Sequence, residues 1–254
     1  MEISIELIAV LFAVALVAGF IDAIAGGGGL ITIPALLMTG MPPALALGTN
    51  KLQACGGSFS ASLYFIRQKA VKLSEVWLLI LLTFIGSSIG TLLIQQVDSS
   101  FIRKILPFLM LAIGLYFLFT PTLGEKDSRQ RFSFVGFAVT AAAMIGFYDG
   151  FFGPGTGSLF SLAFVTLLGF NLAKATAHAK VLNFTSNIAS LILFLVGGQI
   201  LWSVGLAMMA GQIIGGNLGA KMVLSRGKSL IRPMVVVMSF IMTVKMIYDQ
   251  GWFN

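Results

Sequence analysis

The chain has 254 residues, 57% hydrophobic and 10% charged, with a formal net charge of +7 and a mean hydropathy of +0.98. Soluble domains carry about a quarter charged residues, so the composition excludes a water-soluble fold and leaves an integral membrane protein. In such a chain the positive excess reads as Lys and Arg in cytoplasmic loops, not as a nucleic-acid surface. The single cysteine excludes a disulfide framework within the chain.

Apolar runs separated by polar breaks predict ten helical segments, at about 4–25, 29–40, 43–68, 74–96, 99–120, 132–152, 156–169, 172–197, 199–223 and 228–250. The expected fold is all-α and polytopic, one membrane domain over 1–254 with no room for a soluble domain. The first run, "ISIELIAVLFAVALVAGF", has no A-x-A cleavage site and no basic residue before it, so it reads as a retained helix. It ends in "GFIDAIAGGGG", which places Asp22 deep in apolar sequence and four glycines, Gly26 to Gly29, behind it. The short second segment follows directly. Eleven to fourteen helical residues cover only about 16–21 Å of a roughly 30 Å hydrocarbon core. The third segment carries Thr49, Asn50 and Lys51, then Cys55, Ser58 and Ser62. The sixth ends in "GFYDGFFGPGTG" with Asp149, and the short seventh starts at Gly155, Thr156 and Gly157. The eighth holds His178 and Lys180, with Asn183, Asn187 and Ser190 on the face of Lys180. A short segment behind a glycine-rich stretch is the pattern of a discontinuous helix, an unwound backbone followed by a half-helix.

The order repeats. "GFID" returns as "GFYD", "GGGG" as "GPGTG", and Gly40 as Gly169. Lys51 returns as Lys180, Trp77 and Gly86 as Trp202 and Gly211, and "SFIR" as "SLIR". Two five-segment repeats follow, about 4–120 and 132–250. An odd number of crossings inverts the second against the first. With the N-terminus outside, the inside loops hold Arg67, Lys69 and Lys72, then Lys126, Arg129 and Arg131, then Lys221, Arg226, Lys228 and Arg232. The outside turns hold little beyond Arg103 and Lys104. The positive-inside rule therefore puts both termini on the periplasmic side of a bacterial inner membrane.

Asp22, Lys51, Asp149 and Lys180 fall inside membrane segments, where each charge costs about 2.5–3.5 kcal/mol on the translocon scale. They must face protein, water or ligand. Each lysine lies about 12 Å into a long helix, near the midplane where inverted-repeat carriers hold substrate. The expected substrate site is Lys51 and Lys180 with Thr49, Asn50, Asn183 and Asn187. Gly27, Gly28 and Gly29 join it, with Gly155, Thr156 and Gly157, as N–H donors at half-helix starts that favour an anion. Asp22, Asp149 and His178 take a coupling or a structural role. Structural ion pairs between the lysines and Asp149 and Asp22 stay open beside the substrate reading, and Lys51→Ala and Lys180→Ala are expected to stop transport with folding intact. No P-loop signature, metal-ligand spacing or nucleophile–base pattern is present, so no catalytic residue, metal or cofactor is expected. The partners expected are a small anion and the lipid bilayer, without nucleic acid; homodimerisation stays open. A passive anion channel and, far behind, a membrane-embedded enzyme are the alternatives.

At "GFIDAIAGGGGLITIPALL", "ALGTNKLQA" and "GFYDGFFGPGTGS…KATAHAKVLNFTSN" the chain resembles the sulfite exporter TauE/SafE family, in a bacterial inner-membrane branch. The resemblance spans nearly the whole chain. It implies a secondary carrier with two homologous halves that moves small sulfur-containing anions such as sulfite, sulfoacetate or related sulfonates. It also implies that the glycine-rich stretches and the "TNK" and "HAK" segments form the substrate region.

Overall fold

The computed structural model describes residues 4–97 and 126–226, with isolated helical positions between 108 and 115 and between 237 and 248. Apart from those positions, the segments expected at 99–120 and 228–250 lie outside the described residues. So do Arg103, Lys104, Lys228, Arg232, Trp252 and the match of "SFIR" to "SLIR".

The described residues form helices and no strand. They are α1 (Ile5–Ala25), α2 (Gly28–Met38), α3 (Pro43–Arg67) and α4 (Leu73–Ile94) in the first half. The second half has α5 (Phe134–Phe151, π-helical over Ala138–Ala142), α6 (Thr156–Leu168), α7 (Leu172–Val196) and α8 (Trp202–Arg226). Several starts are set locally. The Ser4 hydroxyl accepts from Leu7 N–H at 3.3 Å, Asn171 Oδ1 from Lys174 N–H at 3.0 Å, and Ser133 from Gly136 N–H at 3.0 Å. Pro43 opens α3 at a position where its missing N–H costs nothing.

Among the described residues four helices, α1, α4, α5 and α7, are long and apolar enough to cross a bilayer. α2 and α6 are the short ones, as the sequence expects. The outer helices turn apolar side chains outward, for example Val10, Val17, Ile85, Ile89, Val139 and Met144. In water such a surface would drive association; against lipid it is solvated. α3 and α7 lie side by side in the interior, with Ser58, Ser60, Ser62, Ser186, Asn187 and Ser190 buried along them.

The halves interlock. α1 packs along α8 of the other half, and α5 packs along α4. Small residues let the backbones touch. A Cβ on Gly86 or Gly90 of α4 would lie 2.2 Å from the Ala143 carbonyl oxygen or 2.1 Å from that of Phe147. A Cβ on Gly215 or Gly219 of α8 would lie 2.0 Å from the carbonyl oxygen of Leu16 or 2.4 Å from that of Phe20. Gly211 belongs to the same run, since a Cβ there would lie 2.5 Å from the Phe12 carbonyl oxygen, so α8 carries close-approach glycines one turn apart at 211, 215 and 219.

Charge is segregated among the described residues. Phe65, Val71 and Val76 share one apolar cluster with Leu168, Leu172 and Val223. The Ser128 N–H donates to the Gly169 carbonyl at 2.7 Å. These contacts gather the ends bearing Arg67, Lys69, Lys72, Lys126, Arg129, Arg131, Lys174, Lys221 and Arg226 at one end of the bundle. At the other end, where Leu11, Met41, Ala46 and Val204 cluster, the described charge is Glu6.

Candidate functional site

The two glycine-rich breaks meet in the middle of the bundle. α1 stops at Gly26, whose φ of 77° is left-handed. There its backbone lies against the start of α6: a Cβ on Gly26 would be 2.2 Å from the carbonyl carbon of Gly157, and one on Gly157 would be 2.6 Å from Gly26 Cα. A side chain would be excluded there both by that φ and by that approach, so the position requires glycine. The Ser158 hydroxyl donates to the Ala25 carbonyl across the same contact.

Around the crossing, four ionised side chains pair between halves. Lys180 Nζ on α7 is 2.8 Å from Asp22 Oδ2 on α1, and Lys51 Nζ on α3 is 3.0 Å from Asp149 Oδ1 on α5. Both lysines and Asp149 are buried; the Asp22 side chain keeps 14% of its surface. The Asp22 Oδ1 atom accepts from Gly28 N–H at 3.0 Å, so one carboxylate holds a lysine and caps the start of α2. Asp149 Oδ1 also accepts from the Thr156 hydroxyl at 2.8 Å, in the first turn of α6. Each aspartate thus ties its own break to the lysine of the other half.

Lys51 spends its ammonium protons fully, donating to Asp149 Oδ1, to the Asp149 backbone carbonyl at 2.7 Å and to Asn187 Oδ1 at 3.3 Å. Asn187 Nδ2 then donates to Asn183 Oδ1 at 3.0 Å, one turn earlier on α7. On the first half, Asn50 Oδ1 accepts from Thr32 at 2.6 Å and from Gln53 at 2.7 Å. That leaves the Asn50 amide nitrogen for the space it lines.

These groups enclose a cavity of about 20 Å³, counted as room for water centres. One water needs roughly 10–15 Å³ on that measure, so the cavity is contracted below the size of an oxyanion. It is lined by Asp22, Asn50, Lys51, Asp149, Asn183 and Asn187, with Gly28, Gly29, Thr156 and Gly157 from the half-helix starts. Of the residues singled out in the sequence, Lys180, Thr49, His178, Gly27 and Gly155 do not line it; Lys180 reaches its edge only through Asp22. The Thr49 hydroxyl instead accepts from Leu201 N–H at 2.9 Å, at the approach to α8. His178 sits between the Phe164 and Phe170 rings, at 5.4 and 5.0 Å, with Nδ1 2.8 Å from the Lys174 carbonyl. Gly27 and Gly155 are the residues immediately before α2 and α6.

Sequence reasoning passed over Gln212. It is 2% exposed, lines the cavity from α8, and lies over Gly19 and Gly57, where any Cβ would strike its Oε1 at 2.8 and 2.3 Å. An amide in the apolar run "GLAMMAGQIIGG" was the available signal.

A polytopic helical bundle whose interior holds two crossed half-helix starts and a neutral set of buried charges belongs to the class of multi-pass membrane transporters. The sequence profile of the family "Sulfite exporter TauE/SafE" matches residues 11–246, and the chain belongs to that family of membrane proteins. It is 68% identical, over the whole length of both chains, to a protein of Haemophilus influenzae named "Probable membrane transporter protein". It is 58% identical to "Probable membrane transporter protein YfcA" of Escherichia coli K12, covering 98% of this chain and 92% of that one. A more distant relative, "Probable membrane transporter protein YunE" of Bacillus subtilis, is 27% identical over 94% of this chain and 97% of its own. No solved structure matches.

Proposed function

We propose that the chain is a secondary carrier of small sulfur-containing oxyanions, sulfite, sulfoacetate or related organosulfonates, working by alternating access. The observation that carries this reading is the pair of buried lysines at the crossing of two broken helices, each held by the aspartate of the other half. Lys51 and Lys180 supply charge, and the half-helix starts at Gly28, Gly29, Thr156 and Gly157 supply backbone N–H groups. Asn50, Asn183, Asn187 and Gln212 sort oxyanions by hydrogen-bond geometry. Asp22 and Asp149 occupy the lysines when no anion does. No catalytic step is part of the reading.

The repeat is inverted in this reading: the reciprocal packing of α1 on α8 and of α5 on α4, with corresponding glycines, supports a pseudo-twofold relation between halves. The basic end of the bundle supports a cytoplasmic placement of 67–72, 126–131 and 221–226 in an inner membrane, with both termini periplasmic. A contracted central cavity favours a carrier over an open channel. The test is a thermal-shift screen of sulfite, thiosulfate, sulfonates and carboxylates on purified protein, followed by flux of the stabilising anions in proteoliposomes. Saturable flux with trans-stimulation is the expected result. Unsaturable flux would mark a channel, and no stabilisation by any of these anions would sink the substrate class.

A further inference from the structure

We propose that the central cavity takes a monoanion together with one proton, and that the proton sits on Oδ2 of Asp149. This rests on the anion-carrier reading and assigns its coupling site. The two ion pairs at the crossing sum to zero: Lys51, Asp149 and Asp22 line the cavity, and Lys180 is paired to Asp22 behind it. A monoanion entering alone leaves one uncompensated charge in a dry interior, which burial penalises heavily. Protonating one carboxylate restores neutrality and releases one lysine to hold the anion.

The two aspartates are not equivalent receivers. Asp22 has both oxygens engaged, Oδ1 by the Gly28 N–H and Oδ2 by Lys180. Asp149 has Oδ1 engaged by Lys51 and Thr156, while Oδ2 is buried with no hydrogen-bond partner among the described residues. An ionised carboxylate with one oxygen desolvated and unpartnered is poorly held; adding the proton there makes a neutral acid with an O–H to donate. The groups facing it are few. Lys51 and Cys55 come from α3, Tyr148 is on its own helix, and Asp22 lies across the cavity with Lys180 paired to it. α4 presents hydroxyls, Ser87 and Thr91, and α6 presents Thr156. Tyr148 gives its proton to the Pro154 carbonyl at 2.6 Å, so it does not compete. The proton enters from water on the side that supplies the anion and leaves with it.

The test uses the purified full-length chain in detergent and weak buffer near neutrality. Methanesulfonate, which has no titratable proton there, is added while calorimetry reports binding and a pH indicator reports proton uptake. The expected wild-type ratio is about one proton per anion bound. Asp149→Asn lowers that ratio at least about fivefold, and Asp149→Glu, which keeps the acid, restores it. Binding without proton uptake by the wild type overturns the proposal alone, as does a wild-type ratio in Asp149→Asn. If Asp149→Asn does not fold, Asp149→Glu decides through the pH at which uptake is half-maximal: a midpoint displaced from the wild type supports the assignment and an unchanged midpoint overturns it. No binding of methanesulfonate or of sulfite overturns the carrier reading, and this proposal with it.

Discussion

Lys180 and Asp22 stand 158 residues apart and meet at 2.8 Å, inside the bundle, between α7 and α1. The same carboxylate caps α2 through Gly28. This pair therefore fastens the first half-helix to a helix of the other half through one cavity-lining carboxylate. It also changes what a mutation does. Removing the lysine alone strands a carboxylate in the interior, which costs about 3–5 kcal/mol for a buried pair.

Lys180→Ala is thus expected to stop anion exchange and also to lower the denaturation midpoint by several degrees, which departs from the sequence expectation of an intact fold. Lys180→Ala with Asp22→Ala removes both charges and recovers much of that stability, though Gly28 N–H loses its acceptor, while exchange stays absent. Thermal denaturation of the two purified variants decides this. Equal midpoints in Lys180→Ala and the wild type would mean that the pair carries no strain-free stabilisation.

The contact of Gly26 with Gly157 makes a second, independent prediction. Gly26→Ala places a methyl 2.2 Å from backbone atoms of the other half and asks for a φ of 77°. Left-handed backbone alone costs an alanine roughly 1–2 kcal/mol, and the clash with backbone adds to it because no flexible group can move aside. Gly40→Ala needs a similar φ, 80°, but meets nothing within 4 Å. Gly26→Ala is expected to abolish folding or exchange, and Gly40→Ala to lose only the conformational cost. Comparable losses in both would place the effect in backbone strain and not in the crossing.

Much of this was legible in the sequence. Apolar length marked the helices, and the cost of burying charge pointed to Asp22, Lys51, Asp149 and Lys180; the first three line the cavity and Lys180 is paired to Asp22 at its edge. Doubling of the glycine–aspartate pattern marked the breaks at 26–29 and 153–157. The pairing of Lys51 with Asp149 and of Lys180 with Asp22, left open beside the substrate reading, is present in the structure; the residues concerned lie 98 to 158 positions apart, so only the three-dimensional fold decides between the two readings. Nor did the sequence separate Lys180 from His178 two residues earlier, which a helix turns to a different face, among aromatic rings.

Sidedness can be read with cysteine labels. Cys55 is buried, so background labelling is expected to be low. Gln96 and Arg129 are exposed and lie at opposite ends of the bundle. A membrane-impermeant maleimide added to intact cells is expected to label Gln96→Cys and to reach Arg129→Cys only after permeabilisation. The reverse pattern would invert the topology and place the basic loops outside.

Gln212 offers the sharpest separation of site from scaffold. Its amide lines the cavity, yet it holds no salt bridge and sits where a residue of similar volume fits against Gly19 and Gly57. Gln212→Leu keeps that volume and removes the polar head, so the denaturation midpoint is expected to stay near the wild type. A hydrogen bond to a charged ligand is worth about 1.5–3 kcal/mol, so affinity for the transported anion should fall roughly 10- to 100-fold. Gln212→Glu puts a third carboxylate beside Asp22 and Asp149 and should weaken anion binding further, by repulsion and by competing for Lys51 and Lys180. Binding that is unaltered in both variants would show that α8 contributes packing alone, and that the anion contacts come from α3, α7 and the two half-helix starts.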